Sequence, residues 1–131
     1  MKVTDRNSVE LEEMKLVSGL SLPDKSFAYF NLTVTDNVYS RFSKGVHLAF
    51  NVYATDFASD PDLFVSKVGH VDQIEDAEWH SAREGSDQLV IHKKHYAIGD
   101  VFFVTVKCAN ECKFDLKMNY AREYRLNEGK R

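Results

Sequence analysis

Apolar residues at every second position are the feature of this chain that most constrains its fold. Near the end of the sequence, one alternating apolar set stands before a short polar break and a second set follows it. The two sets are Phe102, Val104, Val106, Cys108 and then Cys112, Phe114, Leu116, Met118. Side chains of a β-strand alternate between its two faces, so each set forms one apolar face. The pattern predicts two strands that each cover a core.

The same alternation recurs earlier in the chain. Phe30, Leu32 and Val34 share one face of a predicted strand at 27–35, and 46–54 is the clearest amphipathic strand. Further short strands are predicted at 14–17, 63–68 and 88–92. Turn residues separate about eight such segments, and no long helical period interrupts them. This spacing predicts an all-β fold, either a sandwich or a barrel.

The length of 131 residues fits one domain. We assign residues 14–120 to the β domain. Residues 1–13 are polar and acidic and are assigned to a linker or a short helix, and residues 121–131 to a tail. Ser18 and Gly19 are predicted to end the first strand, and 36–45 is predicted to be a polar connection.

Charge and hydropathy exclude several classes of protein. The net charge is −3 with both signs mixed along the chain, whereas a nucleic-acid binder usually has a basic excess. No apolar run approaches the ~20 residues that a membrane-spanning helix needs. Residues 1–6 lack the apolar segment of a signal peptide. We expect a cytoplasmic protein, or an extracytoplasmic one if the sequence was cut from a longer precursor.

Nothing in the sequence indicates catalysis. None of the five histidines is near a serine or cysteine nucleophile with an orienting acid, and the six glycines are dispersed rather than gathered in a phosphate-binding loop. We therefore expect a protein that is not an enzyme.

The two cysteines flank a short polar segment at 109–111. A three-residue hairpin loop, with Asn110 in a left-handed conformation, would place Cys108 and Cys112 opposite each other at close to disulfide range. The alternative is two small buried thiols that face the core. A zinc site is not indicated, because no second cysteine pair or nearby histidine accompanies them.

Three carboxylates, Asp56, Asp60 and Asp62, lie within seven positions at the entrance of a predicted strand. Calcium prefers six to eight oxygen ligands, so this cluster predicts a calcium site. The alternative is that Asp60 and Asp62 accept hydrogen bonds from loop amides and fix the turn.

Several motifs in this order resemble a known family. They are the segment 60–66 (Asp-Pro-Asp-Leu-Phe-Val-Ser), Trp79, the triplet 85–87 (Gly-Ser-Asp), and 96–100 leading into the strand at 103–106. Together they resemble the bacterial pre-peptidase C-terminal domain and its relatives. These include the collagen-binding domain of clostridial collagenases and, more distantly, the C2-like domain of calpains.

The resemblance implies a jelly-roll-like antiparallel β-sandwich of about eight strands. It also implies a non-enzymatic role, because such domains flank a peptidase or another secreted enzyme and aid its folding, targeting or substrate binding. Collagenase domains bind calcium partly through an acidic N-terminal segment, for which Glu10, Glu12 and Glu13 are the comparable residues here.

Two classes of function follow. The first is a binding or accessory module that engages a protein or a polysaccharide through exposed aromatic side chains. The candidates are Tyr29, Tyr39, Phe42, Tyr53 and Tyr96, each with core or edge packing as the alternative. The second is a calcium-dependent, C2-like domain that docks on a membrane or a partner through its acidic loops.

Overall fold

The computed structural model describes residues 8–40, 46–82 and 85–122. These parts of the chain contain nine β-strands, one α-helix and two short 3₁₀ helices at Ile74–Asp76 and Lys93–His95. In chain order the elements are β1 (Val9–Glu10), β2 (Val17–Leu22), β3 (Ser26–Thr33), α1 (Asp36–Ser40), β4 (Val46–Ala54), β5 (Pro61–Ser66), β6 (Trp79–Ser81), β7 (Asp87–Ile91), β8 (Val101–Cys108) and β9 (Cys112–Arg122).

The strands form a β-sandwich, as predicted. Sheet A has the order β1-β3-β8-β5-β6, and sheet B has the order β2-β9-β4-β7. Strand β2 pairs with β9, β3 with β8, β4 with β7 and β5 with β6, all antiparallel. The chain from β2 to β9 thus pairs like one long hairpin that has been rolled into two sheets, which is the jelly-roll arrangement. The expected jelly-roll-like sandwich is confirmed, with one more strand than the sequence predicted.

The extra strand lies in the segment that we assigned to a linker or short helix. Within the described residues 8–13, Val9 pairs in parallel with Phe30, and Leu11 donates a backbone hydrogen bond to Asn31. Leu11 is also buried. This segment therefore packs on the edge of sheet A and is not helical. The boundary at residue 14 stays a prediction, and residues 1–7 and 123–131 are outside the described parts of the chain.

The first long strand begins later than predicted. We expected residues 14–17 to be the strand and Ser18 and Gly19 to end it, but β2 includes both residues. The register between β2 and β9 shifts between Val17 and Leu20, which marks a β-bulge. Gly19 has φ of 73° there, a conformation that glycine adopts easily. Because a bulge absorbs this residue, the strand continues where the glycine predicted a turn.

The predicted polar connection at 36–45 contains helix α1 in its described part. Thr35 precedes the helix, and its Oγ1 accepts a hydrogen bond of 3.2 Å from the backbone N–H of Val38, as an N-cap residue does. Val38 is buried against the core. Across the described ranges, no helix has the length and apolar character needed to cross a membrane.

The core lies between the two sheets, and the alternating residues fill it. Phe30 and Leu32 from sheet A face Leu48, Phe50 and Val52 from sheet B, each at most 2% exposed. The rings of Phe50 and Phe102 meet edge to face, with centroids 5.7 Å apart. The inward faces predicted from the sequence are therefore the faces that the fold buries.

The predicted pairing of the last two strands is wrong. Strands β8 and β9 exist where we expected them, but β8 lies in sheet A and β9 in sheet B. The segment 109–111 crosses from one sheet to the other instead of closing a hairpin. Cys108 and Cys112 still lie close, with Cα atoms 6.0 Å apart and their sulfur atoms in contact. They join the two sheets at one end of the sandwich, and both are buried.

Candidate functional site

The connection between β4 and β5 forms a tight turn at the same end of the sandwich as the cysteines. Residues 56–59, here named the Phe57 turn, place the backbone N–H of Ser59 3.2 Å from the carbonyl oxygen of Asp56. This is the hydrogen bond of a β-turn, with Phe57 and Ala58 at its two central positions. The Ser59 hydroxyl also donates to the Asp56 carboxylate at 2.6 Å, which closes the turn a second time.

Neighbouring elements hold the Phe57 turn in place. The buried Ser59 hydroxyl accepts a hydrogen bond of 2.7 Å from the backbone N–H of Lys113, at the start of β9. The N–H of Thr55 in turn donates to the carbonyl oxygen of Lys113 at 3.0 Å. On the other side, the Asp60 carboxylate accepts the N–H of Gly85 at 3.1 Å. The turn is thus fixed to β9 and to the segment before β7.

The turn presents Phe57 to solvent. The phenyl side chain is fully exposed, whereas most of the large apolar side chains in the described residues are in the core. Phe57 was not among the predicted partner contacts, whereas the carboxylates around it were predicted as metal ligands. A signal was nevertheless present: Phe57 is an aromatic residue outside any alternating set, between Asp56 and the turn-forming pair Ser59–Asp60.

The three carboxylates that were predicted to bind calcium have three different environments. Asp56 accepts the Ser59 hydroxyl. Asp60 accepts the Gly85 amide, as the alternative in the sequence analysis expected, whereas that alternative named Asp62 as a second acceptor and the described residues show no hydrogen bond to its carboxylate. Asp62 lies on β5 opposite Lys107 of β8. In the described parts of the chain, no group of three His, Cys, Asp or Glu residues is arranged to hold a metal ion. The calcium site therefore stays a prediction that the geometry does not support.

Asp62 is electrostatically unusual. Burial, together with the nearby carboxylates of Asp60 and Asp87, raises its pKa to about 6 against the opposing effect of Lys107. Within the described residues, no hydrogen bond reaches the Asp62 carboxylate. Its charged form is therefore poorly stabilised by the protein, and a positive ligand would stabilise it.

The aromatic residues proposed as partner contacts have different environments. Tyr53 is 38% exposed on the outer face of sheet B. Tyr29 is partly buried, and its hydroxyl donates to the Asp72 carboxylate at 3.0 Å. Phe42 lies outside the described residues.

Two of these tyrosines pack against each other. The rings of Tyr39 and Tyr96 meet edge to face with centroids 6.0 Å apart, and the Lys93 ammonium lies 4.5 Å from the Tyr39 centroid. Tyr96 is only 6% exposed. Burial, with a smaller contribution from Tyr39, raises the pKa of the phenol to about 12. Tyr96 therefore contributes packing rather than contact surface, and Tyr53 has the most exposed ring among the described candidates.

Comparison with known proteins identifies the fold and not a family. No family model matches the chain, and no curated protein matches it. The expected relationship to pre-peptidase C-terminal domains therefore stays a prediction, and the C2-like alternative has no support. Among solved structures, the chain is similar to PliG from Aeromonas hydrophila, a periplasmic inhibitor of g-type lysozyme. The similarity covers 87% of this chain and 96% of PliG with a TM-score of 0.54 at 9% sequence identity, which shows a shared sandwich fold.

Proposed function

We propose that this protein is a non-catalytic β-sandwich module that binds another protein through the Phe57 turn. The observation that carries the proposal is the fully exposed Phe57 side chain on a turn fixed by hydrogen bonds on both sides. Aromatic side chains at the centre of an interface supply much of its binding free energy. Burial of a phenylalanine contributes about 1.5–3 kcal/mol relative to leaving it exposed.

The fixed turn makes binding more favourable in a second way. A flexible loop loses conformational freedom when it binds, and this loss opposes association. Ser59 is buried and bonded to both Asp56 and Lys113, so the turn is ordered before any partner arrives. A protruding apolar side chain on a rigid turn is suited to entering a cleft of a partner protein.

The similarity to PliG supplies the partner to test. PliG is described as an inhibitor of g-type lysozyme, and its fold resembles that of this chain over nearly its whole length. We therefore propose a lysozyme-like enzyme as the partner class. The sequence also predicted a polysaccharide as the alternative partner. The described parts of this chain present no group of exposed aromatic side chains that would support it.

The test is binding to a purified g-type lysozyme, measured by calorimetry together with inhibition of cell-wall lysis. We expect Phe57→Ala to weaken binding at least tenfold, because it removes an anchor of about 2 kcal/mol. The thermal midpoint of Phe57→Ala should stay within roughly 1 °C of the wild type, since an exposed side chain contributes little to folding.

Val68→Ala is the matched control. Val68 is 84% exposed and follows the other end of β5, away from the Phe57 turn. Its loss should leave binding unchanged. No binding by the wild-type protein would overturn the lysozyme partner, and equal binding by Phe57→Ala would overturn the role of the turn.

A further inference from the structure

A second feature lies on the outer face of sheet A. The connection from β5 to β6, residues 67–78, does not stay at the sheet edge. The ring of His70 lies against Tyr29 and Phe103, with centroids 5.0 and 5.1 Å away, and its Nε2 lies 2.9 Å from the carbonyl oxygen of Phe30. Since β8 separates β5 from β3, this segment, here named the covering loop, crosses β8 to reach β3.

Hydrogen bonds hold the covering loop both where it reaches β3 and where it leaves β5. The Tyr29 hydroxyl on β3 donates to Asp72 at 3.0 Å. At the base of the loop, the backbone N–H of Lys67 donates to the Glu78 carboxylate at 2.7 Å, and the Lys67 ammonium donates to the carbonyl oxygen of His95 at 2.6 Å. The loop is thus attached to the sheet and stands over it.

An open pocket of about 540 Å³ lies between the covering loop and the sheet. This is within the usual range of small-molecule sites, about 300–1,000 Å³. Its apolar lining comes from Phe27 and Phe64 on the sheet and Ile74 on the loop. Its charged lining, within the described residues, consists of three carboxylates and one ammonium: Asp62, Asp72, Glu75 and Lys107.

The charge and shape of the pocket favour one ligand chemistry. The excess of carboxylates repels anions and attracts cations. Aromatic rings beside the carboxylates also favour a cation, since a ring face attracts positive charge. The apolar lining suits a hydrocarbon stem. We propose that this pocket binds an organic cation, a guanidinium or primary ammonium group on an apolar stem, with Asp62 as its counter-charge.

Asp62 is the key group for three reasons. It lines the pocket, it lacks a hydrogen-bonding partner in the described chain, and its pKa is raised to about 6. The charged groups that act on it are Asp60, Asp87 and Lys107, with Asp72 and Glu75 on the opposite wall of the pocket. Binding should therefore weaken when the pH falls from 7.5 to 5, as the Asp62 carboxylate takes up a proton.

The experiment is a titration of ¹⁵N-labelled protein with Nα-acetyl-arginine methyl ester, followed by two-dimensional NMR. The neutral control is Nα-acetyl-citrulline methyl ester, which has nearly the same shape without the charge. We expect saturable shifts at the amides of residues 62–64, 72–75 and 107 with the arginine ester. The citrulline ester should bind at least tenfold more weakly, because it lacks the charge that Asp62 recognises.

Variants identify the group responsible. Asp62→Asn should weaken binding of the arginine ester about tenfold at pH 7.5, whereas Lys107→Gln should strengthen it by removing a competing cation. Glu111→Gln, an exposed carboxylate change outside the pocket, should have no effect. Equal binding of both esters, equal binding by Asp62→Asn, or shifts confined to residues outside the pocket would overturn the proposal.

Two further measurements identify the source of the cation and test whether the Phe57 turn takes part in its binding. Binding of the ester but not of a capped Gly-Arg-Gly peptide assigns the pocket to a free small molecule. Binding of both assigns it to a side chain of a polypeptide. Phe57→Ala should leave ester binding intact, since Phe57 does not line the pocket. The two proposals can therefore fail independently.

Discussion

At the scale of single residues, the raised pKa of Asp62 makes the stability of the fold depend on pH. Its pKa is about 6 in the folded protein, above the ordinary value of 3.8, so the folded state holds the proton more tightly than the unfolded chain. A group of this kind makes the folded state less stable as the pH rises through the folded pKa. The charge on Asp62 therefore destabilises the fold at neutral pH and does not do so below about pH 4.

Replacing Asp62 with asparagine should stabilise the protein at pH 7.5. The substitution removes the charge that burial and Asp60 disfavour, so we expect the thermal midpoint to rise by roughly 3 °C. At pH 4 the variant and the wild type should melt together, because the carboxyl is then protonated in the folded state. Calorimetry at the two pH values measures this, with Glu111→Gln as the control. A midpoint that falls at pH 7.5 would show that Asp62 has a stabilising partner.

At the scale of single elements, the bulge in β2 explains how a turn-forming residue lies inside a strand. Gly19 has φ of 73°, and its N–H donates to the Asp115 carboxylate of β9 at 2.9 Å. An added Cβ would meet no atom within 4 Å, so a side chain fits sterically. The only cost of a substitution is the backbone conformation itself.

Gly19→Ala should therefore destabilise the protein by about 1 kcal/mol, the cost of a left-handed conformation for alanine. The thermal midpoint should fall by roughly 4 °C. Ser18→Ala, an exposed change on the same strand, should alter the midpoint by less than about 1 °C. Chemical denaturation of both variants measures the change in the free energy of unfolding, and thermal unfolding measures the shift of the midpoint. Equal stability of Gly19→Ala and the wild type would mean that β2 rearranges to remove the bulge.

At the scale of the whole molecule, Cys108 and Cys112 lie where the two sheets meet. Their sulfur atoms are in contact, and we predict that they form a disulfide in the isolated protein. The cysteines are four positions apart, so the bond would close a short loop. Closing a loop of this length reduces the conformational entropy of the unfolded chain, which stabilises the folded state by about 2 kcal/mol. Reduction should therefore lower the free energy of unfolding by that amount.

Mass spectrometry before and after alkylation measures the redox state, and denaturation with and without reductant measures the effect. The double variant Cys108→Ala/Cys112→Ala is the control, since reductant should not change its stability. Alkylation of both cysteines in unreduced, unfolded protein would support the alternative of two buried thiols. A disulfide would favour an oxidising compartment over the cytoplasm.

The jelly roll also shows which features of the fold can be predicted from local sequence patterns. The inward faces of β4, β8 and β9 were predictable residue by residue, because alternation depends on a strand's own side chains. The Phe57 turn was predictable only as a turn. That its aromatic side chain is exposed depends on Lys113 and Gly85, which lie far from it in sequence. The pocket was not predictable, since it needs the covering loop to cross β8.

The amino-acid sequence by itself determined where strands form and which of their faces are apolar, because side-chain alternation and turn chemistry are local properties. The tertiary structure decided which strands pair. Sequence neighbours β8 and β9 alternate in the same way whether they form a hairpin or lie in opposite sheets, so alternation cannot distinguish the two. Burying both apolar faces against each other favours opposite sheets.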